Sequence, residues 1–252
     1  ELINNKFIGL KAELIMPKKM QAKIEQEKSK TLLFINQNNS KESILIKNAH
    51  LKDMKIIFEG LKDDYKISNN EQRFNTRGLT GCLNIYDSYL ENISIVIKDG
   101  KCEDSLNIIN SRGKINDLKV NNAYQDAVDI DFSNISIDNI NINKAGNDCL
   151  DVSGGKYVIS ISTFDNCSDK AISIGEKSKF NADKITINNS DIGIAVKDLS
   201  QFKGQNVNIT QTKTCLKIFQ KKYEFGGATA YLKNLDCSAN SFIDKNSSLT
   251  FE

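Results

Sequence analysis

Residues 126–131 read DAVDID and residues 148–153 read DCLDVS, and these two hexapeptides set the frame for the chain. Blocks of the same form occur at 81–86 (GCLNIY), 104–109 (DSLNII), 170–175 (KAISIG), 192–197 (IGIAVK) and 214–219 (TCLKIF). Successive starts lie 23 residues apart once and 22 apart in every later step. Seven blocks in one register are not a product of chance, and a fixed period of this length marks a solenoid.

Each position of the block has a character. Position two is small: Cys82, Ser105, Ala127, Cys149, Ala171, Gly193 and Cys215. Positions three and five are aliphatic throughout, from Leu83 and Ile85 to Leu216 and Ile218. Position four is mostly polar, with Asn84, Asn107, Asp129, Asp151 and Ser173. Positions three and five therefore point inward and position four outward, the period of two that defines a strand. A second strand precedes each block, as at 93–95, 140–142, 185–187 and 207–209. Asn-rich turns such as Asn121-Asn122 and Asn188-Asn189 lie between, where Asn tolerates left-handed backbone and can ladder its amide from coil to coil.

One such unit cannot bury its inner face alone, but stacked units share a core. A leucine-rich repeat would need a Leu-dominated signature and a helical return, and neither is present. The reading is an all-β, right-handed, single-stranded parallel β-helix of about 22 residues per coil, with coils about 4.8 Å apart. One domain spans 1–252. Residues 1–60 form an N-terminal cap and first coils, since 51–60 resembles 90–100. Residues 61–80 break the period and read as an insertion loop, and 81–220 are regular. Residues 220–228 break the period again, and the end of the chain, 221–252, forms an irregular last coil and cap. Residues 17–30 fit either an amphipathic cap helix or a polar loop.

Composition excludes several function classes. The 252 residues are 39% hydrophobic and 26% charged, enough apolar content for a sizeable core. A formal charge of +2, from 34 basic and 32 acidic residues, argues against a general nucleic-acid binder. There is no Trp, and His50 is the one histidine. A Ser-His-Asp triad or a multi-histidine zinc site would have to use it or is ruled out. No stretch approaches the ~20 apolar residues of a membrane span. Glu1 reads as the start of a mature or cut chain. The six cysteines lack any Cys-x-x-Cys spacing, and Cys82, Cys149 and Cys215 share the small position two; all six read as packed thiols rather than disulfides.

Outward positions on adjacent coils form ladders. Position one carries Asp104, Asp126, Asp148 and Lys170; position four sets Asp129 beside Asp151; position six carries Asp131 and Lys197. A solvated surface gains nothing from six packed carboxylates, which repel each other, so that one of a pair tends to hold its proton. That is how a carboxylate becomes a general acid near neutral pH. Candidate catalytic residues are Asp126, Asp129, Asp148, Asp151 and Lys170. Candidate substrate-binding residues are Asp104, Asp131, Glu176 and Lys197, with Arg73 and Arg77 from the first insertion and Lys222 and Tyr223 from the second. Against this, single aspartates often only cap turns or pair with a lysine such as Lys170, and charged loops are usually solvated edges. A hard cation such as Ca²⁺ is a third reading, but no EF-hand-like loop is present, so no metal ligand is assigned.

The coils resemble the pectin-lyase-like superfamily of β-helices, and within it the polygalacturonase branch. Tyr124-Gln125-Asp126, Asn147-Asp148-Cys149, Asp169 to Gly175 and Ala195-Val196-Lys197 follow the order of that branch's four site coils. The resemblance covers about residues 104–200. It implies that Asp126 and Asp148 match two of three catalytic aspartates, with Asn147 at the third. Lys170 stands where the family has its site His, and Ala195 where it has its substrate-binding Arg; Lys197 is kept. It also implies an extracellular or cell-surface setting. The expected activity is cleavage or modification of an acidic polysaccharide or oligosaccharide, by a hydrolase, or by a lyase or epimerase using Lys170 or Lys197 as base. The alternative is a non-catalytic binding or structural solenoid, such as an adhesin, a phage receptor-binding piece or a degenerate enzyme.

Overall fold

The structure, a computed structural model, describes residues 12–27, 30–40, 42–61 and 73–252. The elements before the first block are β1 (Glu13–Ile15), β2 (Gln21–Glu27), β3 (Lys30–Asn36), β4 (Ile44–Lys47) and β5 (His50–Glu59). The middle of the chain forms β6 (Gly81–Tyr86), β7 (Tyr89–Lys98), β8 (Asp104–Ile109), β9 (Arg112–Ala123), β10 (Asp126–Asp131), β11 (Asn134–Ala145) and β12 (Leu150–Ser153). Three long strands follow, β13 (Lys156–Gly175), β14 (Lys179–Lys197) and β15 (Gln201–Phe219), then β16 (Thr229–Cys237), β17 (Asn240–Ile243) and β18 (Ser248–Phe251). No helix occurs among the described residues.

Strands β3 to β18 pair with one another in parallel, while β1 pairs antiparallel with β4. Asp129 stands opposite Asn107 on one side and Asp151 on the other. The expected register thus holds, and the chain is a parallel β-solenoid. All the position-three and position-five side chains of the seven blocks are at most 1% exposed. The strand between blocks is really two. In β9, Asn116 and Asp117 are consecutive non-core residues between buried Ile115 and Leu118. In β14, Asp183 and Lys184 are the same break between Ala182 and Ile185. Two outward residues in a row turn the strand a corner, so each coil has three faces. Tyr157, Phe180 and Phe202 stack through the core, with ring centroids 6.5 and 5.9 Å apart.

The corners are held by polar ladders. Asn143 donates to the Asn121 side chain at 3.1 Å, and Asn189 donates to Asn166 at 2.6 Å. Asn122, Asn166 and Asn189 have φ of 61°, 57° and 59°, the left-handed backbone expected of them. A second ladder runs at the turn after each block. The Ser88 N–H donates to Ser111 Oγ at 3.1 Å, and the Ser111 N–H to Ser133 Oγ at 2.9 Å. At the next coil Gly155 interrupts it. A Cβ there would meet Ser133 O at 2.0 Å and Tyr157 Oη at 2.5 Å, and that hydroxyl's one proton is shared between Ile130 O at 2.9 Å and Ser153 O at 2.8 Å.

Two expectations are corrected. Residues 21–27 are neither helix nor loop; β2 pairs antiparallel with β3, from Gln21 opposite Asn36 to Glu27 opposite Lys30. Its side chains alternate polar and apolar, and the open edge of the first coil offers hydrogen bonds that a helix would leave unpaired. The cysteines are not packed thiols. They form Cys82–Cys102, Cys149–Cys167 and Cys215–Cys237, with Cα–Cα distances of 5.4, 5.5 and 6.2 Å. Position two faces the corner through which the chain returns one coil later, so each bond staples one turn to the next.

Candidate functional site

The blocks gather six aspartates on neighbouring strands of one sheet. Position one is not outward as expected: Asp104 is 1%, Asp126 7% and Asp148 3% exposed, because position one shares the inward parity of positions three and five. Asp129, Asp131 and Asp151 beside them are half-buried. Burial therefore dominates their chemistry. It pushes the Asp104 carboxyl up to about 8, against an opposing pull from Thr80 and with further push from Asp126 and Glu103. Thr80 does not reach hydrogen-bond geometry, and both Asp104 oxygens lack a partner. Burial, then the Asp148 charge, raises Asp126 to about 7. Asp129 is held well above its ordinary value by burial and then by Asp131, Asp104 and Asp151. Asp131 is raised to about 6, by burial and then Asp151.

Position one turns out to be a backbone ladder. Asp126 Oδ1 accepts the Asp148 N–H at 2.8 Å and the Asn147 amide at 2.7 Å. One coil on, Asp148 Oδ1 accepts the Lys170 N–H at 3.0 Å and Lys170 Nζ at 3.1 Å. Lys170 also bonds Asp169. Burial pulls the Lys170 ammonium down, but Asp148 and Asp169 outweigh it and its pKa is raised. Lys170 is thus a pinned cation rather than a free base.

Position four is different. Asp129 and Asp151 are register partners on adjacent coils. Asp151 Oδ1 is buried without a hydrogen-bond partner, as is Asn107 Oδ1. Beyond them Lys197 Nζ, on a 6% exposed side chain, donates to Ser173 Oγ at 2.6 Å. Gly175 leaves room for it; a Cβ there would lie 3.4 Å from Lys197 Cε.

The flanks are only partly assembled. Arg73 Nε pairs with Glu103 at 2.8 Å, and its charge is felt at Asp104. Lys222 pairs with Glu176, and both act on Asp131. Arg77 is exposed, its N–H bonded to Asn75, and Tyr223 is fully exposed; neither joins the cluster. Residues 62–72 of the first insertion lie outside the described residues. Asp198 was not foreseen: 1% exposed, it accepts the N–H groups of Lys221 and Lys222 at 2.6 and 2.8 Å and anchors the second insertion. Its signal was its place just after the block of β14, where every other coil turns. Among the described residues no group of three or more His, Cys, Asp or Glu is arranged to hold a metal ion. No helix there is long and apolar enough to cross a membrane.

No protein-family model, no curated protein and no solved structure matches this chain. The polygalacturonase likeness therefore rests on the residues quoted for it, and the parallel β-solenoid stands on the register alone.

Proposed function

We propose that the acidic face hydrolyses a glycosidic bond of a polysaccharide, with Asp129 as general acid and Asp151 as nucleophile. The observation that carries this reading is their side-by-side register, with an unpartnered Asp151 oxygen. Adjacent strands lie about 4.8 Å apart, near the ~5–5.5 Å carboxyl separation of retaining glycosidases. Asp129 gives its proton to the leaving glycosidic oxygen while an Asp151 oxygen bonds to the anomeric carbon. Water then attacks that carbon, Asp129 takes the water's proton, and Asp151 is released. Lys170, engaged by Asp148 and Asp169, offers no base for lyase chemistry. Arg73 and Lys222 at the two margins suit an acidic sugar chain. The three disulfides suit an oxidising, extracytoplasmic setting.

A second reading, a glycan-binding solenoid without turnover, is favoured by one observation. Asp126 and Asp148, the positions that the resemblance makes catalytic, each commit an oxygen to the scaffold.

The test is product analysis by mass spectrometry with polygalacturonate, alginate, xylan and β-glucan. Native chain should release water-added fragments from at least one polymer. Asp129→Asn should slow release by about 10²–10⁴-fold, the range for a lost general acid. Unsaturated fragments would replace the hydrolase by a lyase. Retention of a polymer without any fragment would leave the binding solenoid.

A further inference from the structure

We propose that the ring of Phe132 is a stacking platform for a sugar ring beside the acidic face; this rests on the glycan reading above. Phe132 belongs to the turn that follows the block of β10. Asp87, Asn110, Phe132 and Gly154 hold the same place on four successive coils. Their N–H groups donate to Ile109, Asp131, Ser153 and Gly175 at 3.0, 3.0, 2.8 and 3.4 Å. All four have positive φ, of 48°, 48°, 49° and 64°. Asp, Asn and Gly tolerate that backbone, whereas a bulky side chain there is an outlier.

Burial does not offset the strain. Phe132 is 60% exposed and contributes little to the core. Its ring lies against the bare Gly154. A Cβ at Gly154 would meet Phe132 Cδ1 at 2.6 Å and Cε1 at 2.9 Å. Part of the ring thus rests on backbone, and the exposed remainder is open to a ligand. Its sequence neighbour is Asp131, whose carboxyl feels Asp151. Backbone strain kept at an exposed aromatic beside a reactive cluster points to function rather than stability. A flat apolar ring beside polar groups is what the C–H face of a sugar requires, since aromatic rings supply much of the contact in such sites.

The test uses the full chain carrying Asp151→Asn, so that polymer is bound without turnover. Retention of polygalacturonate, alginate, xylan and β-glucan is measured, together with the thermal midpoint. Adding Phe132→Asn should weaken retention about tenfold, equivalent to about 1.4 kcal/mol. It should also raise the midpoint by about 2–4 °C, because Asn accepts the left-handed turn. Phe132→Tyr should keep retention. In the chain with Asp151 intact, Phe132→Asn should raise KM and leave kcat within about twofold, the mark of lost ground-state binding. Unchanged retention in Phe132→Asn, or a lowered midpoint with unchanged KM, would make the ring a structural feature and overturn the proposal. Should the Asp151→Asn chain retain no polymer and the native chain cleave none, the glycan reading itself falls, and this inference with it.

Discussion

Asp126 and Asp148 accept the N–H of the coil that follows them, and this decides what substitution does there. Asp126→Asn keeps an acceptor oxygen and removes a charge that burial and Asp148 already disfavour. It should leave unfolding free energy unchanged or higher at pH 8 and, with Asp129 and Asp151 as the reacting pair, leave turnover largely intact. Asp126→Ala strands the buried Asp148 N–H and should cost about 1–3 kcal/mol in urea unfolding. Loss of turnover in Asp126→Asn would return the chemistry to position one. The residues of the cluster were legible in the sequence, because position within a repeat gives the face. Which oxygen is spent on the scaffold was not, since Asp126 and Asn are equally good acceptors on paper. The reach of Lys197 to Ser173 was hidden for the same reason: it depends on a side chain reaching the adjacent coil past Gly175.

At the scale of the element, the turns carry the specificity that strands lack. A parallel ladder of similar Ile-rich strands can slip, and the serine ladder opposes this by tying each turn to the next. Ser111 Oγ accepts the buried Ser88 N–H and donates to Ile109 O at 2.9 Å. Ser111→Ala should therefore destabilise by about 1–3 kcal/mol, read from denaturant midpoints. The disulfides act on the same joints. Cys149 and Cys167 close a loop with a sequence separation of 18, which in the chain-entropy account is worth about 3 kcal/mol. A paired Cys149→Ala and Cys167→Ala variant should melt roughly 10 °C lower than native chain, and a reducing agent should lower native chain further. An unchanged midpoint would mean that the pair is not bonded in solution. The spacing of the cysteines gave no hint of this. Their separations of 20, 18 and 22 differ, because corners, not strands, bring the sulfurs together.

The whole molecule stores like charge along one face, and its stability should depend on pH accordingly. In the unfolded chain aspartates ionise near pH 3.9. In the folded chain Asp131, Asp126 and Asp104 keep their protons to about pH 6, 7 and 8. Between those limits the folded state binds more protons, so stability falls as pH rises, and the loss from these three groups is complete above about pH 8. Thermal melts should show a higher midpoint at pH 5 than at pH 8. Asp104→Asn should raise the pH 8 midpoint and change the pH 5 midpoint little, because a protonated Asp104 already resembles Asn. A flat profile for native chain would mean that the cluster is wetter than its burial indicates.

From the sequence alone came the solenoid, its period, the inward positions and the membership of the acidic face. These follow from local rules: side chains alternate along a strand, and a fixed period stacks like on like, so the repeat dictates which residues become neighbours across the ladder. The tertiary structure decided the burial of Asp129 and Asp131, the disulfide partners, the antiparallel edge at 21–36 and the division of labour among the aspartates. Those depend on how corners and insertions close over the strands. Burial at position one follows from its inward parity, but that of the outward Asp129 and Asp131, and with it their raised carboxyls, is a property of what covers them, which no repeat position records.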